Sequence, residues 1–233
     1  MKDLSLPSNA SEPGVKNLRA QLAQKVKRYT IGEEIFNSVS HGIGALLSIA
    51  ALVLLVVFSV GKPGIYLLSA LVYSISMFLE YTSSTLYHAI QHPKAKAVFR
   101  VFDHVCIYFL IAGTYTPYAL ISLKDSGGID IFAAVWAIAF AGIFLEVFWR
   151  EKPKWVSVLI YLIMGWLVVF KVPDLVAALP TGGLILLVAG GLAYSIGTIF
   201  YLLKKVRYMH SIWHLFVLAG SILQFFSILI YIY

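Results

Sequence analysis

The residues best suited to chemistry are two histidines at the start of the last apolar segment. His210 and His214 stand four residues apart in "RYMHSIWHLFVLAGSILQFFSILIYIY", residues 207–233. In a helix, positions i and i+4 lie on one face, so one helix would offer two imidazole nitrogens to a single metal ion. Ionisable side chains are costly inside a bilayer, which makes each one in an apolar segment a candidate functional residue.

A third imidazole and a carboxylate are predicted to meet this pair. The second apolar segment ends at the membrane face where the third and seventh begin, so His88 and Asp103 should lie at the depth of His210 and His214. Three imidazoles with an open fourth position describe a catalytic zinc site, at which a bound water can attack a carbonyl. Asp103 is the candidate to hold that water or accept its proton. Ser84, one turn before His88, is the candidate to form a hydrogen bond with the water or with a developing oxyanion.

Further polar residues lie on the same helix faces. Glu80 is one turn before Ser84 and is expected either to support the site or to bond between helices. Glu33, Asn37 and His41 repeat every four residues in "EEIFNSVSHGIG", starting from the same membrane face. They either line the same cavity, beside the metal ligands, or act as polar contacts between helices.

Two ionisable residues are predicted to lie outside the site. His104 follows Asp103 directly and therefore points about 100° away from it on a helix. Glu146 is followed four residues later by Arg150, a spacing that favours a structural ion pair.

The elements that must position these residues are seven apolar segments. Of the 233 residues, 60% are hydrophobic and only 12% are charged, against about 25% charged in soluble domains. Each segment is close to the ~20 residues that a membrane-spanning helix needs. The fold class predicted is therefore all-α, a polytopic bundle of seven transmembrane helices. The segments are 36–60, 65–90, 98–122, 129–149, 155–172, 182–203 and 210–232.

The charge distribution predicts the orientation of the bundle. Fifteen of the eighteen Lys and Arg residues lie in the N-terminal arm and in the loops after the second, fourth and sixth segments. By the positive-inside rule this side is cytoplasmic, which puts the N-terminus inside and the C-terminus outside. The net charge of +7 is then explained by the membrane, and no nucleic-acid partner is expected.

Residues 1–30 form a separate basic and polar arm, and residues 31–233 a single membrane domain. In the arm, Leu18, Leu22, Val26 and Tyr29 recur at helical spacing among basic residues. The pattern is typical of a helix lying on an anionic membrane surface, with a disordered arm as the alternative.

Four motifs together resemble one protein family. "EEIFNSVSHGIGALLSI", "SSTLYH", "FDHVCIYFLIAGTYTPY" and "HSIWHLFVLAGS" resemble the bacterial haemolysin III proteins, which belong with the progestin and adiponectin receptor family. The wider superfamily includes the alkaline ceramidases. It shares Ser-x-x-x-His on the second helix, Asp on the third and His-x-x-x-His on the seventh, and these match Ser84 and His88, Asp103, and His210 and His214.

The resemblance implies a seven-helix protein of the bacterial plasma membrane with an internal N-terminus. It also implies zinc on His88, His210 and His214, with Asp103 reaching it through water. Hydrolysis of a lipid amide or ester follows as the first functional hypothesis, with a membrane lipid as substrate or ligand. The long N-terminal domain of the animal hormone receptors is missing, which argues against binding of a protein hormone.

Three other functions compete with hydrolysis. One is a membrane-lytic, pore-forming protein, and another is a sensor of membrane state in which zinc is only structural. The third makes Ser84, His88 and Asp103 a nucleophilic triad without metal. The oligomeric state is left open.

Overall fold

The protein is a bundle of α-helices, and the seven predicted spans are confirmed. The structure, a computed structural model, describes residues 29–149, 152–203 and 206–233. Within these ranges seven helices are long and apolar enough to cross a membrane, and no strand is present. The helices are α1 (Ile31–Ser59), α2 (Gly64–Ala89), α3 (Pro93–Pro117, continued by a π-helical turn over Tyr118–Ser122), α4 (Gly128–Phe148), α5 (Lys154–Trp166), α6 (Val172–Ala178), α7 (Thr181–Leu202) and α8 (Met209–Tyr231).

Two helices begin five residues earlier than predicted, because polar residues cap them. Thr30 accepts a hydrogen bond from the Glu33 backbone, and the Glu33 carboxylate bonds back to Thr30, which forms a capping box before α1. His92 caps α3, and Pro93 occupies the first turn, where its missing N–H costs nothing. Asp103 consequently lies ten residues into α3, roughly 15 Å along its axis.

The fifth span is longer than predicted and is not straight. A break was expected over 171–174, where "KVPD" stands, but the chain passes from α5 through a 3-10 turn (Leu167–Lys171) directly into α6. Pro173 is tolerated because it falls in the first turn of α6. The 3-10 turn and α6 thus extend the span to Ala178.

Most polar side chains of the spanning helices are buried, and the outer surface of the bundle is apolar. Large hydrophobic residues such as Leu46, Phe144 and Ile185 are exposed on the outer surface, as lipid contact requires. Helices approach closely in the interior, where Gly44 of α1 lies against the ring of Tyr81 on α2 with no room for a Cβ. Small residues at such contacts are typical of packing between membrane helices.

Contacts between loops establish which ends of the helices lie together. Lys171 Nζ donates to the Ser126 carbonyl at 2.6 Å, which joins the loop before α4 to the end of the 3-10 turn. Lys62, in the loop between α1 and α2, donates to the carbonyl of Tyr233 after α8. Both contacts agree with antiparallel neighbours, while the side that faces the cytoplasm stays a prediction. The predicted arm falls almost wholly on residues 1–28, outside the described residues.

Candidate metal centre

Three histidines from two helices converge at one end of the bundle. The Nε2 atom of His210 lies 3.3 Å from that of His88 and 3.1 Å from that of His214. His88 is the penultimate residue of α2, and the other two occupy the first turns of α8, so antiparallel packing brings them to one level. His88 and His214 are fully buried.

The separations of these nitrogens fit a metal ion. The three ligand atoms lie within 4.8 Å of one another, so the cluster could hold a metal. Nitrogens about 2.0–2.1 Å from a tetrahedral zinc ion would be about 3.3–3.4 Å apart, close to the two separations above. Three imidazoles, two of them buried and one half-buried, also form a donor set suited to zinc and to other first-row divalent metals.

A carboxylate that the sequence reasoning missed fixes His88 in place. Glu34 Oε2 accepts a hydrogen bond from His88 Nδ1 at 2.6 Å, which leaves Nε2 directed at the other two histidines. The second oxygen, Oε1, forms an ion pair with Lys96 Nζ at 2.8 Å. A carboxylate on the far nitrogen is the usual support of a metal-binding histidine, since it sets tautomer and ring orientation. The signal was present in the sequence, because Glu34 stands seven residues before His41 and shares its helix face.

The neighbouring Glu33 holds the start of α8. Its Oε1 accepts a hydrogen bond from the Tyr208 backbone N–H at 2.8 Å. Tyr208 has φ of 61°, a left-handed conformation that is unfavourable for a tyrosine and occurs directly before the first residue of α8. Glu33 therefore stabilises the turn that delivers His210.

The two other residues of the predicted stripe on α1 also contact α8. Asn37 Oδ1 accepts a hydrogen bond from Ser211 Oγ at 2.6 Å. The ring of His41 stacks on that of His214, with centroids 3.7 Å apart and an interplanar angle of 27°. The stripe thus packs against the segment that carries the two histidines, and His41 touches one of them directly.

Ser84, Glu80 and Asp103 lie deeper in the bundle. Ser84 is buried one turn from His88, and its Oγ has no hydrogen-bond partner among the described residues. Asp103 is buried and lies close enough to Glu80 for the two carboxyl groups to interact electrostatically. Asp103 is not in the set of ligand atoms within 4.8 Å of one another, so it does not join the three histidines as a direct ligand.

A second polar cluster lies outside the histidine site. Glu146 accepts hydrogen bonds from His104 Nδ1 at 2.8 Å and from Ser157 Oγ at 3.0 Å, and it pairs with Lys152 Nζ at 2.6 Å. The sequence predicted Arg150 as the partner of Glu146, but Arg150 lies outside the described residues. Among the described residues, the charged or ionisable partners of Glu146 are Lys152, which lies just before α5, and His104 of α3.

An apolar cavity of about 930 Å³, its open mouth included, runs beside the histidine site. Its walls come from α2, α3, α5, α7 and α8. Trp213 and Val217, which come before and after His214 on α8, line it, and Glu80 lines it from α2. Trp166 stands partly exposed at its wall and donates to Ser195 Oγ at 3.0 Å, which links α5 to α7. The stripe Glu80, Ser84 and His88 on α2 therefore leads from the cavity to the metal-binding cluster.

Comparison with known proteins identifies the family. The family described as "Haemolysin-III related" matches residues 29–225, which includes all three histidines. The chain is 46% identical over 204 residues to "Hemolysin-3 homolog" of Bacillus subtilis (strain 168), covering 87% of this chain and 96% of that protein. It is 44% identical over 215 residues to "Hemolysin-3" of Bacillus cereus, covering 91% and 98% respectively.

A more distant relative is an animal protein. "Monocyte to macrophage differentiation factor" of Homo sapiens is 29% identical over 177 residues, 71% of each chain. This similarity supports the wider placement within the progestin and adiponectin receptor family. The seven apolar helices and the bacterial relatives support a multi-pass protein of the bacterial plasma membrane. The chain belongs to the haemolysin III family of integral membrane proteins.

Proposed function

We propose that the protein is a zinc-dependent hydrolase that cleaves an amide or ester bond of a membrane lipid. The observation that carries this proposal is the convergence of three imidazole Nε2 atoms inside the bundle, two of them 3.1 and 3.3 Å from the third. Three protein nitrogens leave one coordination position open, which is the arrangement of catalytic rather than structural zinc sites.

The residues of the cluster would bind the metal, and a neighbouring carboxylate would orient one of them. A zinc ion in this site would act as a Lewis acid and activate a water molecule for attack on a carbonyl. His88, His210 and His214 would hold the ion, and Glu34 would keep Nε2 of His88 in the correct tautomer. Because the Glu34 carboxylate is also paired with Lys96, its own orientation is fixed before any metal binds.

Two deeper side chains are the candidates for proton transfer and charge stabilisation. Asp103 would accept the proton that the attacking water loses, and would return it to the leaving group. Ser84 Oγ is buried and has no partner among the described residues, so it is available to donate a hydrogen bond to the developing oxyanion. Glu80, Asn37 and His41 would support these groups rather than react.

The cavity supports a lipid as the substrate. Its walls are mostly apolar with a small number of polar groups, which is the usual character of ligand pockets. Its wall includes Trp213, the residue before His214, so we infer that an acyl chain in it would point its polar end toward the histidines. The positive-inside rule, applied to the excess of Lys and Arg at the ends of the histidine-bearing helices, predicts that this polar end lies at the cytoplasmic face.

Hydrolysis can be tested on the zinc-loaded protein in detergent or liposomes. Release of fatty acid from a panel of lipid amides and esters should depend on zinc and stop when a chelator removes it. Turnover that survives complete chelation would instead favour the metal-free triad of Ser84, His88 and Asp103. Bound zinc without turnover of any lipid would contradict the hydrolase, and would leave the metal a structural role in a sensor of membrane state.

A lytic function is the second candidate, and the relatives favour it. The Bacillus cereus protein that shares 44% identity over 91% of this chain bears the name "Hemolysin-3". If this chain forms pores, liposomes containing it should conduct ions, and replacing all three histidines by alanine should leave the conductance unchanged. Absence of conductance in wild-type liposomes would exclude the pore.

A further inference from the structure

Glu80 is a carboxyl group buried in an apolar cavity without a partner for one of its oxygens. The side chain is 3% exposed, and its Oε2 has no hydrogen-bond partner among the described residues. It is the one acidic or basic side chain among the described residues that line the cavity. Asp103, which lies close enough to interact with Glu80 electrostatically, is also a carboxyl group and cannot form an ion pair with it.

A buried polar atom of this kind normally has a partner. Nine in ten or more of the buried polar groups in proteins are hydrogen-bonded, because leaving one unsatisfied destabilises the fold. Two hydroxyl groups that line the cavity are engaged elsewhere: Thr114 donates to the Leu110 carbonyl at 2.7 Å, and Tyr194 bonds Ser221 at 2.7 Å. Ser84 Oγ, one turn along α2, also lacks a partner among the described residues and therefore does not bond Glu80. The partner that Glu80 lacks in the protein is therefore expected from whatever fills the cavity.

We propose that the cavity is built for a lipid chain that carries a hydroxyl group in its apolar part, and that Glu80 forms a hydrogen bond with that hydroxyl. A hydroxyl group suits a carboxyl oxygen in either protonation state, because it can donate to a carboxylate and accept from a protonated carboxyl group. If the cavity held an alkyl chain without a hydroxyl group, Oε2 would stay buried without a hydrogen-bond partner. This inference rests on the proposed lipid hydrolase and names its substrate class.

The position of Glu80 places the hydroxyl well away from the head group. Glu80 precedes His88 by eight residues on one face of α2, which is roughly 12 Å along the helix axis. A hydroxyl next to the bond being hydrolysed would lie at the histidines and out of reach. A hydroxyl in the middle of a long acyl chain would lie at the level of Glu80.

Competition binding with free fatty acids tests the proposal without any hydrolysis. Stearate and a hydroxystearate with its hydroxyl in mid-chain would compete against radiolabelled stearate on the purified, metal-loaded protein. The wild type should bind the hydroxylated chain about tenfold more tightly, which corresponds to ~1.4 kcal/mol. Glu80→Gln retains a carbonyl oxygen of the same shape and should keep the preference. Glu80→Met removes the acceptor and should abolish it, mainly by weakening the binding of hydroxystearate.

Thr114→Val provides the matched control within the cavity. It removes a lining hydroxyl that is already bonded to its own helix, so the preference should remain. Equal binding of the two fatty acids by the wild type would overturn the proposal. So would a preference that persists in Glu80→Met or, if that variant does not fold, in Glu80→Leu. Neither fatty acid has a bond to hydrolyse, so these results stand whether or not the hydrolase itself is confirmed.

Discussion

Glu34 and His88 are joined by a hydrogen bond of 2.6 Å between helices α1 and α2. The bond occupies the imidazole nitrogen that faces away from the other two histidines and leaves Nε2 available to a metal. Since Lys96 of α3 pairs with the same carboxylate at 2.8 Å, three helices determine the orientation of one ligand. The site is therefore organised by residues beyond the three that would touch the ion.

Glu34→Gln should weaken metal binding while leaving the fold intact. An amide orients the ring less strongly than a carboxylate, and loss of such a partner typically lowers metal affinity 10–100-fold. The measurement is a zinc-competition titration with a chromogenic chelator. Asp130→Asn, a carboxylate-to-amide change at an exposed residue in the first turn of α4, is the control and should retain the parent affinity. Equal affinities in both variants would show that Glu34 does not support the metal.

Asp103→Asn should separate catalysis from metal binding. If Asp103 transfers the proton, turnover should fall on the order of 10²–10⁴-fold. Zinc content should stay at the wild-type value, because Asp103 is not among the ligand atoms that cluster together. Asp130→Asn, a change at an exposed residue in the first turn of α4, should leave turnover unaltered. An Asp103→Asn enzyme with wild-type turnover would remove Asp103 from the mechanism.

Lys152→Met should destabilise the protein through Glu146. The pair is buried, with side-chain exposures of 3% and 9%, so removing the cation leaves an uncompensated buried charge at a cost on the order of 3 kcal/mol. Thermal unfolding in detergent should show a lower melting temperature, and adding Glu146→Gln should restore much of it.

The exposed pair Lys124–Asp125 is the control for this experiment. Its side chains are 68% and 85% exposed, so Lys124→Met should leave the melting temperature unchanged. A Lys152→Met protein as stable as the wild type would indicate that His104 and Ser157 alone satisfy Glu146.

Cysteine labelling should establish the orientation. Cys106 is buried and is the one cysteine of the chain, so Cys106→Ser gives a clean background. A membrane-impermeant maleimide should label Lys124→Cys in intact cells. It should label Lys94→Cys, at the exposed start of α3, only after permeabilisation. The reverse pattern would place the histidine site at the external face.

The spans and the histidines were predictable for different reasons. Seven runs of about twenty apolar residues are a signal along the chain itself and need no knowledge of packing. His210 and His214 share a face through their spacing, and alternation of the helices brings His88 to the same level. The early starts of α1 and α3 were missed because Thr30 and Pro93 lie in polar surroundings, where hydropathy gives no boundary.

The partners across helices could not be predicted from the sequence. Glu33 and Glu34 differ by a rotation of about 100° on α1, and only the packing of α1 against α2 and α8 decides which one meets His88. Likewise, only the packing of α5 against α4 decides that Lys152, just before α5, reaches Glu146. The cavity depends on side-chain volumes from five helices, which no pattern in one segment records.

Metal analysis of the detergent-purified protein tests the central claim most directly, with the wild type measured beside His210→Ala. His210 lies between the other two histidines, 3.3 and 3.1 Å from their Nε2 atoms, so its loss should dismantle the site. The account predicts about one zinc ion per wild-type chain and none in the variant. A wild-type protein free of metal, or a His210→Ala protein that keeps its zinc, would contradict it.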